Sequence, residues 1–128
     1  MASRPRPQKK EIAFPRRGEI YLVSFDPTVG HEIQKTRPAV VIQNDVSNQY
    51  SPITIVAAIS SKFSEPPFPR EAVIEPQDSG LQKRSAVIVN QIRSVDRLRL
   101  QKKIGRLSKQ KMERVDEAIK ISLGLIEL

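Results

Sequence analysis

The chain has no cysteine and no tryptophan, a single histidine, and five glycines among 128 residues. Without cysteine there are no disulfides, zinc–thiolate centres or thiol nucleophiles. With His31 alone, a two-histidine acid–base pair within one chain is impossible. A Ser-His-Asp triad would need His31 as base, and no serine sits in a nucleophile-elbow pattern. Gly18, Gly30, Gly80, Gly105 and Gly124 are isolated, so no nucleotide-binding glycine fingerprint is present. No cluster of His, Asp or Glu has the spacing of a metal site, and no metal or cofactor is expected. No stretch approaches the about 18 apolar residues of a membrane span. No apolar core follows the basic N-terminus as a secretory signal requires. A soluble, cytoplasmic protein is expected.

What is present is positive charge. The formal net charge is +8, from 22 Lys and Arg against 14 Asp and Glu. Much of it is local: residues 1–17 hold Arg4, Arg6, Lys9, Lys10, Arg16 and Arg17 against Glu11. Such a balance favours a polyanionic partner through counterion release, although a solubilising tail has the same composition. Pro5, Pro7 and Pro15 among these charges predict an extended or disordered arm over 1–16. One domain, 17–128, follows, long enough to bury a core without staples.

Residues 19–25, rich in aromatic and β-branched types, read as a strand closed by Asp26-Pro27. Residues 38–43 are apolar on both faces and predict a central strand, and 53–59 read likewise. Residues 44–52 read as a polar loop and 62–71, with Pro66, Pro67 and Pro69, as a stiff one. Short strands are expected at 72–75, 85–92 and 103–107, with a helical turn within 96–100. Ser108 is a good N-cap for a final helix, whose stripe Met112, Val115, Ile119, Leu123 and Ile126 reads as core cover. Short strands with one terminal helix and no βαβ alternation predict a mainly β fold, a small antiparallel barrel or half-open sheet.

Chemistry then concentrates at strand ends. Arg37 stands at the mouth of the second strand, after a polar loop carrying Glu32, and Ser60 and Ser61 end the third. If these strands are antiparallel neighbours, Arg37 and Ser60 share one edge of the sheet. Arginine, hydroxyl and carboxylate are a workable set for phosphodiester cleavage when the substrate brings its own nucleophile, as RNA does in its 2′-OH. Arg37 would neutralise charge on the phosphorane, Ser60 orient a phosphoryl oxygen, and Glu32 accept a proton. A solvated arginine paired with Glu32 in an ordinary protein would read the same way.

The blocks Gly18-Glu19-Ile20-Tyr21, Asp26-Pro27-Thr28-Val29-Gly30 and Thr36-Arg37-Pro38-Ala39-Val40-Val41-Ile42 occur in order. Gln43-Asn44-Asp45, Tyr50-Ser51-Pro52, Ile55-Val56-Ala57-Ala58-Ile59, Gln91-Ile92-Arg93-Ser94-Val95-Asp96 and residues 115–123 continue the series. Together they resemble the MazF/PemK family of toxin endoribonucleases over about residues 17–125. The resemblance implies an SH3-like barrel of the CcdB/PemK type, a homodimer, a proteinaceous antitoxin, and metal-independent cutting of single-stranded RNA to a cyclic phosphate. It maps the family's catalytic arginine onto Arg37, its acidic loop residue onto Glu32, and its catalytic hydroxyl, usually threonine, onto Ser60. His31, Gln34, Lys35, Asn44, Gln91 and Arg93 are the expected RNA contacts. Tyr50 and Phe63 are candidates for base stacking or for local packing. A gyrase-poisoning toxin on the same barrel, or a barrel that binds nucleic acid without cutting it, are the competing readings.

Overall fold

Residues 14–63 and 71–127 are described in the computed structural model. Among them, β1 (Glu19–Ser24), β2 (Thr36–Val41), β3 (Ile53–Ser60), β4 (Glu71–Ile74), β5 (Ser85–Asp96) and β6 (Leu100–Arg106) form one sheet, ordered β4-β5-β3-β2-β1-β6. Every pairing is antiparallel. The α-helices among the described residues are α1 (Asp45–Tyr50) and α2 (Lys109–Ser122). No helix among the described residues is long and apolar enough to cross a membrane. The expected arm lies mostly outside the described residues, as does most of the proline-rich 62–71 segment.

The apolar character of β2 and β3 on both faces matches their place in the middle of the sheet. Alternate residues feed two clusters. Val40, Ala57 and Ile59 join Ile20, Ile74, Val87 and Val89 on the face covered by α2. Ala39, Val41, Val56 and Ala58 join Val23, Phe25 and Val95 on the other face. The free edges approach each other where the turn after Pro76–Asp78 meets β6. A Cβ on Gly80 would lie 2.8 Å from the Ile104 carbonyl, and one on Gly105 would strike the Ser79 carbonyl, so the close approach needs glycine on both sides. This curls the sheet into the small barrel expected.

Several boundaries differ from expectation. Residues 44–52 are not all loop: Asp45–Tyr50 form a helical turn and a half, whose N-cap Asn44 accepts a hydrogen bond from the Ser47 amide. Six polar residues carry no helical periodicity, and what anchors them is tertiary. Asn48 is fully buried, its amide accepting from Thr54 Oγ1 at 2.7 Å and Gln43 Nε2 at 2.9 Å. β5 runs on to Asp96, and β6 begins at Leu100, earlier than expected. The turn at Arg97–Arg99 falls where expected, with Asp96 accepting from the Leu98 amide. In α2, Met112 and Val115 are buried as the stripe predicts. Leu123 and Ile126, however, lie beyond the helix and are exposed, because Gly124 turns the chain at positive φ.

Candidate active site

The β2–β3 register sets Val40 opposite Ala57 and Ala39 opposite Ala58. Continued by two residues, it sets Pro38 opposite Ile59 and Arg37 opposite Ser60. The backbone groups of Ile42 face β3, its amide donating to the Ile55 carbonyl at 2.9 Å. Those of Val40 and Pro38 face the same way, two and four residues earlier. Proline has no N–H, so the rung at Pro38 lacks its donor and the pairing stops at Ala39. Arg37 itself stays fixed through its pairing with Val23 on the other side. The two strands part here, and a cleft of about 620 Å³ opens with Arg37, Pro38, Ile59, Ser60 and Ser61 on its wall. Sequence reasoning thus paired Arg37 with Ser60, and the fold brings them to one cleft.

Their side chains are partly committed. Arg37 Nε donates to the Gln34 carbonyl at 3.2 Å, which leaves both terminal nitrogens without a partner among the described residues. Ser60 Oγ accepts from the Lys62 amide at 3.1 Å and donates to the Lys62 carbonyl at 3.3 Å. Lys62, Lys83, Lys102 and Lys103 also line the cleft, and among the described residues no carboxylate does. These lysines come from the segments after β3 and before β5 and from β6. No spacing in the sequence could have grouped them.

Glu19 lies beside this cleft but is not available to it. It is buried, and Lys103 Nζ contacts its Oε2 at 2.7 Å. Burial pushes the carboxyl up. Hydrogen bonds from Lys103, the Arg16 amide and Tyr21, with the Lys103 charge, outweigh burial and hold it below the usual glutamate range. The Tyr21 hydroxyl is driven well above its ordinary value by burial and by its hydrogen bond to Glu19.

The loop between β1 and β2 is held by side chains from outside it. At β5 the register slips: Ala57 faces Ile92 while Ala58 faces Ile88. The bulge between them carries Gln91, re-aimed toward the loop. Its Oε1 accepts from the Ile33 amide at 3.0 Å and its Nε2 donates to the His31 carbonyl at 3.3 Å. Arg93 donates to the Phe25 carbonyl at 2.5 Å, and Arg99 to the Ser24 and Asp26 carbonyls at 3.0 and 2.6 Å. Lys35 sits at φ 67, a left-handed conformation uncommon for lysine, its amide held by Asp26 Oδ1 at 3.0 Å.

The remaining expected residues divide accordingly. Ile33, within the loop, lines the cleft. His31, Glu32, Gln34 and Lys35 are exposed on the same loop. Glu32 is not among the cleft-lining residues, and its Oε1 accepts from the Val29 amide at 2.8 Å. Gln91 and Arg93 bond loop backbone in this structure. Asn44 and Tyr50 lie near the start of β3, about 24 Å along the strand from Ser60. Phe63 follows the cleft-lining Lys62, with the Arg84 guanidinium 5.6 Å from its ring centroid.

Comparison with known proteins agrees with this geometry. The model of PemK-like, MazF-like toxins of type II toxin–antitoxin systems matches residues 16–123. The chain is 40% identical to the Bacillus subtilis protein named endoribonuclease EndoA over 112 residues, 88% of this chain and 97% of that one. In three dimensions it resembles MazF from Deinococcus radiodurans, with a TM-score of 0.75 at 22% identity, covering 88% of this chain and 98% of the other. It also resembles a mycobacterial endoribonuclease solved with its cognate antitoxin, with a TM-score of 0.72 at 18% identity, covering 89% and 99%. These structural likenesses bear out the expected fold. With most of its length matched by the family model and by a relative of this identity, the chain belongs to the PemK-like, MazF-like family of toxins of type II toxin–antitoxin systems.

Proposed function

We propose that this toxin is a metal-independent endoribonuclease that cuts single-stranded RNA by attack of a ribose 2′-OH on the adjoining phosphate. The observation that carries the reading is that Arg37 and Ser60 line one cleft with several lysines and, among the described residues, no carboxylate. The 2′-oxygen bonds to phosphorus and loses its proton, the P–O5′ bond breaks, and the products are a 2′,3′-cyclic phosphate and a 5′-hydroxyl. The paired terminal N–H groups of Arg37 stabilise the phosphorane oxygens. Arginine is a poor base, and it gives up a proton only in concert with its transfer to the leaving oxygen. Ser60 orients the phosphoryl group. Glu32 accepts the 2′-OH proton, which requires its carboxylate to release the Val29 amide.

His31, Gln34 and Lys35 read the RNA from the loop, while Gln91 and Arg93 act on it through the loop backbone they hold. The antitoxin lays an acidic segment across the basic cleft. The toxin forms a homodimer. Val46, Tyr50 and Leu98 are exposed apolar side chains at the end of the sheet away from the cleft, and offer it a face.

The test is digestion of a long transcript in EDTA. Wild-type protein cuts, and Arg37→Ala, exposed and outside both core clusters, keeps the fold and loses about 10²–10³-fold in rate or more. Substantial cutting by a folded Arg37→Ala protein would overturn the assignment. Gyrase inhibition without RNA cuts, or tight RNA binding without cuts, would establish one of the other two readings.

A further inference from the structure

The cleft extends well past Arg37. Pro38 and Lys102 are both register partners of Leu22, one on each side of β1. They therefore lie two strand spacings apart, about 10 Å. Leu22 lies between them, and with Pro38 and Ile59 it lines the cleft as an apolar floor. Lys83, from the segment before β5, lines the same cleft. Of the lysines here, Lys103 has its charge taken up by Glu19. Lys83 and Lys102 are exposed and have no ion-pair partner among the described residues.

An apolar strip with Arg37 and Ser60 on one side, and on the other two ammonium groups without an ion-pair partner among the described residues, suits one sugar and base with a phosphate at each end. Arg37 and Ser60 come from β2 and β3 and Lys102 from β6, on opposite sides of that floor. We infer that Lys83 and Lys102 bind the phosphate one nucleotide along from the scissile one, with the intervening nucleotide on the Leu22–Pro38–Ile59 floor. The inference rests on the nuclease reading for which phosphate is scissile. It adds a site contributed by β6 and the β4–β5 connection, away from the loop and strand ends that carry the chemistry. A phosphate held there fixes the register of the strand in the cleft and contributes to binding rather than to the chemical step.

The test uses the full chain and a fluorescein-labelled, random-sequence RNA pool in which 2′-fluoro groups remove the attacker. Binding is measured against salt concentration. For a single strand, each phosphate that the protein no longer neutralises makes the log–log salt slope shallower by about 0.7. Lys83→Gln and Lys102→Gln should each weaken binding several-fold, and the double variant should have a shallower slope than either. Lys120→Gln on α2 should match wild type, and Lys102→Arg should restore the slope. On unmodified transcript the double variant should raise KM and leave kcat near wild type. An unchanged slope and KM in the double variant overturns the inference. So does a loss confined to binding of an acidic peptide, which would make the cleft a protein-docking surface. Wild-type protein that cuts transcript while the slope ignores both lysines sinks this inference alone. Lysine-dependent binding without any cutting sinks the nuclease reading and keeps the phosphate site.

Discussion

At the residue scale the site turns on two short hydrogen-bonding side chains at the end of β3. Ser60 and Ser61 both line the cleft, yet they are not equivalent. Ser60 is partly buried and its hydroxyl is oriented by the Lys62 backbone, while Ser61 is exposed. The β2–β3 register, continued past its last pair at Ala39, sets Ser60, not Ser61, across from Arg37. Ser60→Ala should therefore reduce cleavage by about tenfold or more, the loss that accompanies about 1.4 kcal/mol of transition-state stabilisation. Ser61→Ala should stay near wild type. Single-turnover rates on one transcript check this, and equal rates for the two variants would remove Ser60 from the site. Ser60→Thr should retain activity, since it keeps the hydroxyl and adds a methyl that stiffens the rotamer.

At the scale of elements, the loop between β1 and β2 owes its position to β5. Gln91 stands on the bulge and bonds both His31 and Ile33, on either side of Glu32. Gln91→Ala removes both bonds. The Ile33 amide should then exchange with solvent about tenfold faster or more, given about 1–1.5 kcal/mol per hydrogen bond. The Val56 amide, on the central strand β3, should be unaffected. Site-resolved hydrogen exchange reads both, and unchanged protection at Ile33 would contradict the clamp. The family resemblance marks Gln91 as an expected RNA contact, but nothing in the sequence records its grip on the loop. A bulge depends on pairing with a distant strand, and no local pattern records it. The same holds for α1. Asn44 is a good N-cap, but the segment became helical because Asn48 found Thr54 and Gln43 in the interior. The strands and α2, by contrast, were legible because burial imposes its own period on apolar residues.

At the scale of the whole molecule, the Glu19–Lys103 pair ties β1 to the edge strand β6, and its linkage sets a pH window. The folded-state pKa of Glu19 lies below its unfolded value, which is about 4.3. Its contribution to stability is therefore complete above that value and is lost as pH falls through the folded pKa. Tyr21 works in the opposite sense. Its folded pKa is raised, so its contribution is complete below about 10, the unfolded value, and is lost at higher pH. The thermal midpoint should be flat at neutral pH and fall on both sides. Glu19→Gln should be less stable at neutral pH and show a shallower acid decline. Thermal melts of both proteins across pH decide it, and identical acid limbs would exclude Glu19 as a source.

The amino-acid sequence alone determined the class of the fold, the central strands and the terminal helix, and it set Arg37 and Ser60 at strand ends that meet once those strands are antiparallel neighbours. These follow from local periodicity and from the antiparallel rule, which brings the start of one strand beside the end of the next. Only the tertiary structure decided that Gln91 and Arg93 grip a loop, that Asn44 starts a helix, and that lysines from β6 and from the segments flanking β4 share a cleft with Arg37. Those relations depend on register slips, a missing proline N–H and the curl of the sheet, all of which join residues far apart in the chain.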